Sequence, residues 1–209
     1  MTYDQHDAAL DEMYEQIGRD LYPEHKAQAI EEFTAERLRS FYVAMPMVMR
    51  PAVDALQEGK RLLAGGHNSA AVVFYVSAIE LLLKATLLKP VVHGLVHSEG
   101  LAEVIVQLAL GQPGFDRYSN LLAQLFSELA GLEIRSIARR DATEKLLVEC
   151  TAQQALRNQI IHQGATCSVS QAKLAQDVSV AVYELVVHPM LARLGLTVVE
   201  EGAIIPRGV

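Results

Sequence analysis

Arg157-Asn158-Gln159-Ile160-Ile161-His162 is the segment of this chain whose side chains could do chemistry. It puts a permanent cation, an amide and an imidazole within about one and a half turns of what reads as a helix. A guanidinium is a planar fork of N–H donors that grips phosphate or carboxylate at two points, and an imidazole exchanges a proton near neutral pH. Together these groups suit the handling of a phosphodiester. On a helix predicted over 142–162 the apolar arc is built from Leu146, Leu147, Cys150, Leu156, Ile160 and Ile161, and Arg157 falls inside that arc. Asn158 and His162 lie at its edge, at i and i+4, within reach of each other.

A cation aimed into a bundle demands an anion. The best candidate is Glu80, on a helix predicted from Asn68 or Ser69 to Lys89 and stopped by Pro90. That helix is apolar nearly all round, which places it at the centre of the fold. Its polar groups, Ser69, Ser77, Glu80 and Lys84, share one narrow stripe. Glu80 and Lys84 stand in the favourable i, i+4 order and could satisfy each other. Two arrangements are open for Arg157: a structural ion pair with Glu80, or a cleft at a bundle or dimer seam. For His162, in the last turn before Gly164, the alternatives are proton transfer and capping of the helix C-terminus.

The remaining elements follow from punctuation. Helices are predicted over 3–21 and 24–41, from Pro46 or Pro51 to Gly65-Gly66, over 101–110, over 118–129, and from a Ser168/Gln171 capping box to about Leu194. Residues 131–140 form a basic connection, and the tail 196–205 suits a small β-hairpin. The chain is therefore expected to be all-α, with an N-terminal helical extension over 1–45, a bundle over 46–195 and a C-terminal tail over 196–209.

Composition agrees with a helical core. The 209 residues are 51% hydrophobic and 21% charged, with no Trp. Two cysteines are too few for a secreted disulfide framework, and Cys150 reads as a buried thiol. The polar, acidic start has neither the basic nor the apolar region of a secretory signal, and residues 70–88 read as a core helix because they carry Glu80 and Lys84. A cytoplasmic protein with no membrane contact is expected. The net charge of −7 argues against a general nucleic-acid binder but leaves room for a small basic cleft.

The Arg157-Asn158-x-x-x-His162 segment resembles the signature of the HEPN superfamily, an Arg, a polar residue and then a His near the end of a helix. Ser77-Ala78-Ile79-Glu80-Leu81-Leu82-Leu83-Lys84 is similar to that family's earlier core helix, with an acidic residue and a following Lys. The likeness spans about residues 46–195. It implies an up-and-down helical bundle acting as a homodimer, with the two motifs facing one cleft. It further implies an endoribonuclease of a toxin or defence kind, free of metals and cofactors, that leaves a 2′,3′-cyclic phosphate. His162 would then be the general acid/base, Arg157 would bind the scissile phosphate, and Asn158 would orient one or the other. Glu80, with Ser77 and Lys84 beside it, would hold Arg157. The partners implied are an RNA substrate and an antitoxin or other regulatory protein. Toxins of this family that answer to a nucleotidyltransferase antitoxin carry Tyr two residues after the His, where this chain has Gly164. The family also includes inactive members that serve as interaction modules, with the Arg and Glu as a buried structural pair.

Other signals carry less. Arg135, Arg139 and Arg140 form a basic cluster suited to RNA backbone or to a solvated face. His93 and His97 have metal-ligand spacing, but Pro90 and Gly94 argue against a helix there, and no metal site is expected. Gly65-Gly66 lacks the Lys-Ser/Thr of a phosphate loop, and no Gly-x-Ser-x-Gly elbow is present.

Overall fold

The computed structural model describes residues 35–96, 98–110, 133–140 and 142–208, with single positions 13, 16, 32, 33, 120, 123 and 127. Over these residues the protein is all-α with one small hairpin. Helix α1 covers 35–44, α2 Arg50–Ala64 and α3 Asn68–Leu81. A π-turn, Leu82–Leu88, carries α3 into α4, Lys89–Leu95, and α5 is Glu99–Leu110. Helix α6 is Leu146–Gln163 and α7 Val169–Val182; a second π-turn, Tyr183–Val187, leads into α8, His188–Arg193. Strands β1, Leu196–Val198, and β2, Ile204–Pro206, pair antiparallel with Val198 opposite Ile204. The expected helix over 3–21 lies outside the described residues apart from Met13 and Gln16, as do most of 24–34 and 118–129.

Several expected boundaries hold. Pro51 opens α2 where a missing N–H costs nothing. Gly164 ends α6 at φ 66°, a left-handed conformation that favours glycine. The Ser168 hydroxyl accepts from the Gln171 N–H while the Gln171 side chain accepts from the Ser168 N–H, completing the capping box of α7. The start of α6 comes later than expected, at Leu146 and not near 142. There the Leu146 N–H donates to the Ile137 carbonyl at 2.9 Å, tying the helix start to the 3₁₀ turn Ile134–Ser136.

Pro90 does not stop the central helix. In both long core helices a proline sits two residues past a π-turn. The last N–H before it reaches back five residues, Lys89 to the Lys84 carbonyl and His188 to the Tyr183 carbonyl. The wider turn gives the pyrrolidine ring space that an α-turn would deny it. The proline still leaves the carbonyl four residues back, Thr86, without its N–H donor. The buried Tyr42 hydroxyl of α1 donates to that carbonyl at 2.6 Å. The helix thus runs on to Leu95, and His93 and Gly94 are helical after all; His97 lies outside the described residues. Gly94 accommodates Leu38 of α1, whose Cδ2 would stand 2.9 Å from an added Cβ.

Helix α3 is the hub, packed against α2, α6 and α7. Ala71, Val72, Tyr75, Val76, Ala172 and Ala175 form one apolar cluster at its N-terminal end. Leu83, Leu87 and Leu88 of the π-turn join Val182, Val186, Val187 and Leu191 in the main core, together with Leu38 and Tyr42 of α1. The hairpin closes over α2: Gly202 rests on Val53, Ile204 N–H donates to the Pro46 carbonyl, and Arg50 pairs with Glu201 at 2.6 Å. The continuous helix 68–94 is long and apolar enough to cross a membrane, and most of it is buried within this bundle.

Candidate functional site

The end of α6 is amphipathic in an unusual way. At about 100° per residue, Leu146, Cys150, Gln153 and Arg157 share its inward face. The first three are buried, with Gln153 5% exposed. By the fourth step the inward position is a guanidinium, which meets a carboxylate on α3. Arg157 Nη2 donates to Glu80 Oε1 at 2.6 Å, and the two side chains are 20% and 24% exposed. The sequence-derived Arg157–Glu80 pair is therefore present.

Two further bonds complete the cluster. Gln154 Nε2 donates to the same Glu80 oxygen at 2.9 Å. Arg157 Nη1 donates to Asn158 Oδ1 at 3.1 Å. Glu80 thus receives two donors on one oxygen, while Arg157 is held through both terminal nitrogens. A guanidinium has five N–H groups, so these bonds leave three for a ligand. The antiparallel run of α3 and α6 produces this convergence: Glu80, near the end of α3, comes level with the third and fourth turns of α6.

The outer residues differ from expectation. Asn158 turns to Arg157, and among the described residues no hydrogen bond engages the His162 ring, so the expected Asn158–His162 contact is not made. A side-chain amide beside a fixed guanidinium gains more from that charged donor than from an exposed imidazole. His162 is exposed in the last turn of α6. Ile161, expected in the apolar arc, is 50% exposed. Gln154, Arg157, Asn158, Ile161 and His162 form one strip that solvent reaches, with Gln154 and Arg157 partly buried in it.

Ser77 does not join the cluster; its hydroxyl donates to its own helix, to the Val73 carbonyl at 2.9 Å. Lys84 lies one turn beyond Glu80, partly buried in the π-turn. The three basic residues stand elsewhere. Arg139 makes a two-pronged pair with Glu149, at 2.9 and 2.6 Å, in the first turn of α6. Glu149 is about 12 Å of helix rise from Arg157. Arg135 donates to Asn120 at 2.7 Å, and Arg140 lines a cleft of about 350 Å³ with Asp177 of α7 and Glu184 of the second π-turn. Among the described residues no group of three His, Cys, Asp or Glu side chains could hold a metal ion. His93 Nε2 lies 3.6 Å from Glu103, with its ring against Phe41.

Comparison with protein-family models, with curated proteins and with solved structures finds no match for this chain. The site must therefore be judged on its own geometry. The residue that sequence reasoning missed is Gln154. Its signal was a polar side chain three residues before Arg157, on the same side of the helix.

Proposed function

We propose that the protein is an endoribonuclease of the HEPN kind, working as a cytoplasmic homodimer in a toxin or defence role. The observation that carries this reading is the solvent-reached strip in which Glu80 and Asn158 hold the Arg157 guanidinium and His162 stands exposed one turn further on. A phosphate entering past Ile161 meets three unused guanidinium N–H groups. These donors stabilise the negative charge that grows on the non-bridging oxygens at the transition state. His162 takes the proton of the ribose 2′-OH, the 2′-oxygen attacks phosphorus, and the bond to the 5′-oxygen breaks. The leaving oxygen receives a proton from a protonated His162, supplied by the second copy across the cleft. The products are a 2′,3′-cyclic phosphate and a 5′-hydroxyl. The nucleophile belongs to the substrate, so this route has no need of an activated water.

The same ion pair favours a second reading. Glu80 already neutralises Arg157 at 2.6 Å, as a structural pair in a non-catalytic interaction module would. One experiment separates the two. Purified protein and a His162→Ala variant are incubated with end-labelled single-stranded RNA in excess EDTA, beside a measurement of oligomeric state. The enzyme reading expects cleavage with cyclic-phosphate ends by the parent, and at least about a hundredfold less by the variant. A dimer inert on several RNAs, or a variant as active as the parent, refutes it.

A further inference from the structure

Gln154 is the group at this site to which nothing yet gives a task. It lies three residues before Arg157 on α6, so both side chains leave the same side of the helix and reach the same carboxylate. Both also choose the same atom: Glu80 Oε1 accepts from Gln154 Nε2 at 2.9 Å and from Arg157 Nη2 at 2.6 Å. A carboxylate oxygen offers two lone-pair directions in one plane. Filling one of them with the Gln154 amide fixes the plane of the carboxylate, and with it the direction from which the guanidinium must approach. Without that donor, a carboxylate bonded to one partner can turn about its terminal torsion, which is broad and roughly two-fold, and can present either oxygen.

The residue type matters as well. An amide donates without adding charge. A Lys or Arg here would compete with Arg157 for Glu80, and a Glu would give Arg157 a second carboxylate that an incoming phosphate must displace. Gln leaves the Glu80–Arg157 pair electrically balanced while fixing its geometry. The third donor–acceptor contact, from Arg157 Nη1 to Asn158 Oδ1 at 3.1 Å, closes the other side of the guanidinium. Glu80 and Asn158 then define the plane of the fork.

We propose that Gln154 is a positioning residue that pins Glu80 Oε1 and so aims the Arg157 guanidinium at the substrate phosphate. This rests on the ribonuclease reading for its chemistry, but the positioning itself can be read without RNA. The test uses Gln154→Leu, which keeps the shape and removes the donor, alone and combined with Glu80→Gln. Two readouts are taken: single-turnover RNA cleavage with its kcat and KM, and the nitrogen-15 NMR signals of the Arg157 guanidinium, whose Nη groups exchange slowly only when held.

If Gln154 aims Arg157, Gln154→Leu slows cleavage about tenfold with KM changed less than about twofold, the scale of one hydrogen bond to a charged group. It also averages the Nη signals, and it adds little further loss in the Glu80→Gln background, because the two act through one atom. A Gln154→Leu protein that cleaves like the parent, or losses that simply multiply in the double variant, overturns the proposal. Should the parent cleave no RNA, the ribonuclease reading fails by itself and NMR alone decides. Nη signals unchanged in Gln154→Leu would then overturn the positioning role, and averaged signals would uphold it.

Discussion

Substituting Tyr42 by Phe removes one oxygen from the core and tests how the central helix survives its proline. The Tyr42 hydroxyl donates at 2.6 Å to the Thr86 carbonyl, and both residues are fully buried. Burial pushes the phenol far above its ordinary pKa, so it remains a donor at any workable pH. Thr86 lies four residues before Pro90, whose ring nitrogen has no hydrogen to give. Phe would leave that carbonyl unsatisfied in a dry core, at a cost of about 1–3 kcal/mol. For a chain of about 200 residues this corresponds to a melting temperature lower by roughly 2–12 °C. The decisive arm is a double-mutant cycle. Pro90→Ala returns an N–H four residues after Thr86, so Tyr42→Phe made in that background should cost less than about 0.5 kcal/mol. Urea denaturation followed by circular dichroism, with the slope checked for constancy, measures all four proteins. An equal cost of Tyr42→Phe in both backgrounds would refute the account, since the hydroxyl would then not be replacing the proline's missing donor. The result bears on the site too, because the π-turn that Pro90 demands begins two residues after Glu80.

Three further outcomes follow from other parts of the bundle. Arg139→Ala should lower stability by about 2–4 kcal/mol, because it strands Glu149, 11% exposed, without its two-pronged partner. It should leave the rate of RNA cleavage within about twofold, and a large rate loss at unchanged stability would instead put Arg139 on the substrate. Cys150 is walled in by the core, and burial pushes its thiol up from 9.0 to about 12. A thiol-specific chromogenic reagent at pH 8 should therefore titrate Cys167 alone in the native protein and both cysteines in denaturant. The sign of the linkage is fixed as well: the folded state holds the Cys150 proton more tightly, so its contribution is complete below about pH 9 and declines as pH rises toward 12. A Cys150→Ala variant should lose stability less steeply over that window, and parallel curves would contradict the assignment.

Much of this protein is legible in its sequence because the signals are local. The Ser168/Gln171 capping box, Pro51 at a helix start and Gly164 at a helix end act within a few residues, and each holds in the structure. The all-α character and the terminal hairpin follow from periodicity in the same way. Pairing Arg157 with Glu80 was also within reach, because two ionic groups on apolar helix faces have few alternatives once buried. Tertiary structure decided what depends on neighbours distant in sequence. Pro90 reads locally as a stop, yet Tyr42, on another helix, supplies the donor that lets the chain continue. Ile161 reads as core, yet it stands half exposed at the end of α6. Asn158 was within reach of His162 and took Arg157, and Gln154 gained its role only when α3 brought Glu80 alongside. A periodic pattern fixes which face of a helix turns inward; the partner waiting there is set by how helices cross, a property that no short window of sequence contains.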